Sequence, residues 1–198
     1  MVTMHPFIIF RPLNAAQAGT TLLEVLVSLL ILSIGLLGLA GLESRLQIAE
    51  MESYQRAQAL IPLNDMANRI SANRHAAFSY ITPVPLGVGI DCPSAGTLRQ
   101  TIDAHEWCNA LQGAGEVSGT SRVGVMLGGK GCVDFIGNNE YMITVAWQGI
   151  APVSAPPTSV SCGKDAYDGS PSCNNDLCRR AVTTIVRVGM QKQVDDGS

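Results

Sequence analysis

Glu24 is the residue whose placement most needs explaining. It lies near the start of an apolar run that carries no further charge until Glu43. A carboxylate in hydrocarbon is costly unless it is paired, so its default reading is functional. Just before it stands a small-residue junction, Ala18-Gly19, followed by Thr20-Thr21. Ordinary secretory signals are cut after their apolar core. A cut after Gly19 would instead leave the whole apolar segment in the mature chain. The competing reading is a signal anchor that is never cut.

The other residues with chemical reach are six cysteines, Cys92, Cys108, Cys132, Cys162, Cys173 and Cys178, all beyond the apolar run. An even number confined to one side of a membrane-length segment points to disulfides in an oxidising compartment, in a bacterium the periplasm or cell surface. Fifteen connectivities are open. One scheme has Cys92–Cys108 tying a loop to a short helix, Cys173–Cys178 closing a small loop, and Cys132–Cys162 as the remaining pair. No CxxC pair occurs, and the spacing fits no common zinc site. Asp165, Asp168, Asn174 and Asp176 could be read as a calcium loop, but the expectation is that no metal or other cofactor is bound. His5, His75 and His105 are the only histidines, and no nucleophile elbow, HExxH or P-loop pattern is present. The chain does not read as an enzyme.

These residues must be positioned by a small set of elements. Residues 20–42 form a helix long enough to cross a bilayer, which takes about 20 residues. Arg11 ahead of it favours a cytoplasmic N-terminus. Gly35, Gly38 and Gly41 recur on one face, where small residues allow close helix contact. The helical pattern continues to about residue 75. Ala59, Leu63, Met66 and Ile70 make an apolar stripe there, and Pro62 is expected to kink the helix. A Pro/Gly/Ser-rich loop follows from Phe78 to Gly96. Thr97–Leu111 reads as a short helix with Leu98, Ile102 and Leu111 as its apolar contacts. On it, Trp107 is expected to pack and Asp103 to be a solvated or capping carboxylate.

Residues 112–121 read as another loop, and Arg122–Leu127 as a further strand. Gly131–Ile136 and Tyr141–Gln148 alternate as strands about a Gly-Asn-Asn-Glu hairpin turn, with Ile143, Val145 and Trp147 facing the core. After a long cysteine-containing loop, Arg179–Val188 is a β-branched strand. Arg179-Arg180 at its start reads as solvated charge that resists edge pairing, or as a subunit contact. The order, long helix then antiparallel strands, is an α+β arrangement in which a sheet covers the helix stripe. The net charge of −3, with no basic cluster, argues against nucleic-acid binding.

The stretch Gly-Thr-Thr-Leu-Leu-Glu-Val-Leu resembles the cleavage and assembly motif of the type IV pilin superfamily. The resemblance implies that a prepilin peptidase cuts after Gly19 and methylates the new amine of Thr20, making Glu24 the fifth mature residue. The ammonium so formed, in a filament that of a neighbouring subunit, is the partner the Glu24 carboxylate needs. Thr20 departs from the Phe found first in many pilins, which weakens a likeness to a major pilin more than it weakens the cleavage reading. The whole apolar helix, Asp103-x-x-x-Trp107, YMITVAWQG at 141–149, Cys162-Gly163 and Arg179-Arg180 are similar to PilV-like minor pilins.

That likeness implies a leader at 1–19, a transmembrane and assembly half-helix at 20–42, and a periplasmic domain at 43–198. It further implies an inner-membrane protein that passes to the pilus, with other minor pilins, the major pilin and prepilin peptidase as partners. A part in assembly initiation and a place at the filament tip follow from the same likeness. A type II secretion pseudopilin shares this N-terminal chemistry, and a membrane-anchored periplasmic enzyme or binding domain would need neither the cut nor Glu24.

Overall fold

A computed structural model describes residues 21–113, 117–118, 121–122 and 126–189. The chain divides into two compact units, Met1–Arg45 and Leu46–Ser198, and helix α1, Leu22–Ala72, contributes to both. In the first unit the helix is exposed at every described position. It is long and apolar enough to cross a membrane, with a mean hydropathy of 2.6 over its most apolar window.

In the second unit α1 buries Gln55, Ala59, Pro62, Leu63, Met66 and Ile70 along one side. The spacing is that of a helical stripe. Opposite it lies a four-stranded antiparallel sheet in the order β1-β4-β5-β6, made of Leu86–Gly87, Lys130–Gly137, Glu140–Gln148 and Arg179–Arg187. Two further strands, β2 (Val117–Ser118) and β3 (Ser121–Arg122), pair only with each other. The β4–β5 turn places Gly137 opposite Glu140, with positive φ at Asn138 (50°) and Asn139 (57°). That is the backbone a two-residue hairpin loop requires, and asparagine tolerates it better than most residues.

Strand β5 is the centre of the domain. Tyr141, Ile143, Val145 and Trp147 face the α1 stripe and the second helix, α2 (Arg99–Leu111), in one core. Each fully buried aliphatic or aromatic side chain there contributes about 1.5–3 kcal/mol. On the opposite face Thr144, Ala146 and Cys132 are also buried. The 149–178 segment is tied to this strand pair by the Cys132–Cys162 disulfide. Two further disulfides join Cys92 to Cys108 and Cys173 to Cys178. Closing a loop of 30 residues, as Cys132–Cys162 does, removes unfolded-chain entropy worth about 3–4 kcal/mol.

Several sequence expectations change here. Helix α2 begins at Arg99, and Leu98 is its largely exposed N-cap rather than a core contact. Its buried face is Asp103, Trp107, Cys108 and Leu111. The 78–96 loop contains the rest of a 3₁₀ turn, Arg74–Tyr80, and strand β1. Of the strand expected over Arg122–Leu127, only Arg122 pairs, in β3, while residues 123–125 lie outside the described residues. Within the expected loop 112–121, Val117–Ser118 forms β2.

Gly131 sits where α2 meets the sheet. A Cβ at this position would overlap the Trp107 ring and the Leu111 side chain. Gly131→Ala should therefore push α2 off β4 and cost about 1–3 kcal/mol. Thermal unfolding should show a Tm lower by several degrees. An unchanged Tm would mean that α2 does not seat on Gly131.

Candidate assembly helix and its anchor

Over described residues 21–42 the helix carries few polar side chains, and the hydroxyls among them are satisfied within the helix. Thr21 stands at the N-cap. Its carbonyl accepts the N–H groups of Glu24 (2.9 Å) and Val25 (3.3 Å), and its hydroxyl Oγ1 also accepts from Glu24 N–H at 3.3 Å. Thr21-Leu22-Leu23-Glu24 is thus a Thr-x-x-Glu helix start, with the acid in the first turn where the helix dipole favours it. Ser28 Oγ donates to the Glu24 carbonyl and Ser33 Oγ to the Leu29 carbonyl, each at 2.7 Å. Hydroxyls turned back on the backbone this way add no unsatisfied donor to an apolar helix.

The Glu24 carboxylate is different. Among the described residues it has neither an ion-pair nor a hydrogen-bond partner. Gly19 and Thr20 lie outside the described residues. At Gly35, Gly38 and Gly41 an added Cβ would meet no heavy atom within 4 Å, so this glycine face packs on nothing among the described residues.

In the second unit Asp103 is 1% exposed, which corrects its reading as a solvated or capping carboxylate. Its Oδ1 accepts from Arg69 Nη1 at 2.6 Å and lies 2.8 Å from Arg99 Nη2, while Tyr80 Oη donates to Oδ2 at 2.5 Å. Arg69 also meets Asp65 (2.8 Å) and Glu106 (2.6 Å), so one guanidinium on α1 binds both its own helix and α2. One turn further along α2, Trp107 Nε1 donates to the Pro62 carbonyl at 2.8 Å. Helix α1 continues through Pro62, and α2 caps the buried carbonyl beside it.

Burial alone would raise the Asp103 pKa. The hydrogen bonds from Tyr80 and Arg69, with the charges of Arg69 and Arg99, outweigh it and hold the carboxyl below its usual range. Tyr80 is pushed up to about 12, first by burial and then by its bond to Asp103. Asp134 on β4 is the reverse case. Its Oδ2 is buried without a partner, and burial raises its pKa.

The two arginines that open β6 are neither solvated nor free, which corrects the edge-charge reading. Successive strand residues point to opposite faces, and each face uses one. Arg179 is 3% exposed, pairs with Asp176 at 3.0 Å and donates to the carbonyls of Val160 and Cys162. Arg180 grips Glu52 of α1 with Nε on Oε2 and Nη2 on Oε1, both at 3.1 Å. Glu52 Oε1 also accepts the Ile150 N–H at 2.8 Å.

The acidic 165–176 segment uses its carboxylates on itself. Asp168 accepts the N–H groups of Asn175 and Asp176, and Asp176 Oδ1 that of Asp165. These bonds hold left-handed backbone at Asp165, Asn175 and Asp176, the ordinary work of Asx side chains in turns. His105 Nδ1 is 2.7 Å from the Pro93 carbonyl and Nε2 is 3.1 Å from the Asn109 amide. His75 lies exposed in the 3₁₀ turn, and His5 is outside the described residues.

Asp103 sets a pH signature. A depressed carboxyl pKa contributes stability above the unfolded value, about 3.9, and that stability is lost as pH falls through the lower folded value. Tyr80 has the opposite sign, contributing below about 10 and losing that contribution as pH rises through about 12. Asp103→Asn should cost at least about 2 kcal/mol at neutral pH, because Arg69 and Arg99 lose a buried partner. Its stability should also fall less steeply than the wild type's below about pH 4, as measured by denaturant unfolding. Parallel acid slopes for the two proteins would contradict this.

A family model described as the prokaryotic N-terminal methylation motif matches residues 14–40, which include Gly19, Thr20, Glu24 and most of the apolar half of α1. Searches of curated proteins and of solved structures return no match. The methylation motif at the head of the long apolar helix indicates a type IV pilin-like protein.

Proposed function

We propose that this chain is a minor pilin of the type IV pilus, a structural subunit that helps to initiate the filament and can occupy its tip. The observation that carries the reading is the methylation motif at 14–40, with Glu24 as the one group in the described apolar helix left without a partner. In this reading residues 1–19 are a leader removed by prepilin peptidase. Residues 20–42 hold the subunit in the inner membrane with its N-terminus inside, and residues 43–198 are the periplasmic domain. Processing makes Thr20 the first residue, directly before the N-cap Thr21. An ammonium there is disfavoured by the positive end of the helix dipole, whereas a carboxylate is favoured. Each subunit then carries an amine that needs an anion and a Glu24 that needs a cation. Pairing them between neighbours relieves both and sets the axial register of the helices.

The methylation motif supports a structural subunit rather than an enzyme. The partners proposed are the other minor pilins and the major pilin.

Glu24→Ala should insert into the membrane and be processed normally. Its recovery in sheared filaments should fall about tenfold or more, the loss that ~1.4 kcal/mol of pairing energy implies. Gly19→Leu should run on gels as the longer, uncut chain. Wild-type recovery of the Glu24 variant would refute the pairing. Co-purification with secretion components and none with pilus components would make the chain a pseudopilin instead.

A further inference from the structure

We propose that the pocket between the 3₁₀ turn and the β4–β5 hairpin of the second unit docks a protein segment that presents a carboxylate beside an apolar side chain. The cavity is about 310 Å³, and its lining includes Arg74, His75, Phe78, Asn139, Tyr141 and Val188. Among the described residues, none that lines it is acidic.

Two features call for a ligand of this kind. The first is unspent positive charge. Arg69, Arg99, Arg179, Arg180 and Arg187 each meet a carboxylate; among the described residues Arg45 and Arg56 on α1 do not, but neither lines this pocket. Arg74 and His75, both exposed, have no ion-pair partner among the described residues. The second is an apolar floor left open. Phe78 is 71% exposed, yet its ring is held edge-on to Phe135 at 6.4 Å, and Phe135 lies 5.4 Å from Tyr141. An aromatic cluster that is ordered but uncovered gains by accepting an apolar side chain. A guanidinium beside it adds a charge-assisted fork for a carboxylate.

The rim is preformed. Ile81 N–H closes the turn on the Phe78 carbonyl, and Val188 N–H bonds the Asn139 carbonyl at 2.9 Å. Little ordering cost remains on this side of the contact. An anionic lipid surface would satisfy the charges, but a concave pocket floored by aromatic rings fits one side chain better than a plane of headgroups. The site uses no part of the apolar helix, so it stands or falls apart from the pilus reading.

The test uses the full chain in neutral detergent micelles, with NMR resonances of His75 and Phe78 as reporters. The probe is acetyl-Phe-Asp-Asp-amide, compared with acetyl-Phe-Asn-Asn-amide and with phosphatidylglycerol bicelles. The acidic peptide should give saturable shifts at both residues. Affinity should fall about tenfold for the Asn peptide and for Arg74→Ala, as for loss of one close charge contact. Phe78→Ser should weaken binding by a similar factor. Both positions are exposed, and circular dichroism checks that the variants stay folded. Equal binding of the two peptides, no saturable shift, or shifts with phosphatidylglycerol and none with peptide would overturn the proposal.

Discussion

The constraint on which everything else depends is that a single helix serves two environments. Over Leu22–Leu42 of α1 no charge but Glu24 appears, and the two serines there fold their hydroxyls onto the backbone. This is the composition a membrane span requires, since a helix in lipid has only its own bonds to satisfy its polar groups. From Gln55 to Ile70 the same helix presents a stripe that is closed over by a sheet and a second helix.

The fixing points in the second unit are polar as well as apolar. Glu52 is gripped by Arg180, Pro62 is capped by the Trp107 indole, and Arg69 is locked to Asp103. Each joins a different face or segment to α1: a strand, the middle of α2 and the α2–3₁₀ corner. Buried charge of this kind adds little net stability compared with apolar packing, but it penalises every arrangement in which a partner is missing. For the proposed pilus subunit that penalty is useful, because its domain must hold its shape as the subunit passes from membrane to filament. The Cys132–Cys162 disulfide secures the opposite sheet face, so the 149–178 segment is held covalently where packing is thinner.

Much of this was legible because its causes are local. The four-three-four spacing of Ala59, Leu63, Met66 and Ile70 names the buried stripe, and Gly-Asn-Asn-Glu names a hairpin turn. The alternation in YMITVAWQ names the core face. What stayed hidden has distant causes. Arg99 lies on the same helix, but the other partners of Asp103 are the Arg69 guanidinium, 34 residues away, and the Tyr80 hydroxyl, 23 residues away, which no window around the α2 helix contains. Strand β1 is two residues directly after Pro85 and pairs with the edge that β4 offers. Two signals were present and could have been used. Thr21 and Glu24 have capping-box spacing, and adjacent arginines at a strand start must point to opposite faces.

The central claim is that the chain is cut after Gly19 and that its new amine is the cation Glu24 lacks. Mass spectrometry of the N-terminal peptide of the chain extracted from membranes of its native host tests this most directly. The result expected is a chain that begins at N-methylated Thr20. A membrane-bound chain that still carries residues 1–19 would contradict it, and would leave Glu24, the lone carboxylate of the apolar half of α1, without the partner assigned to it.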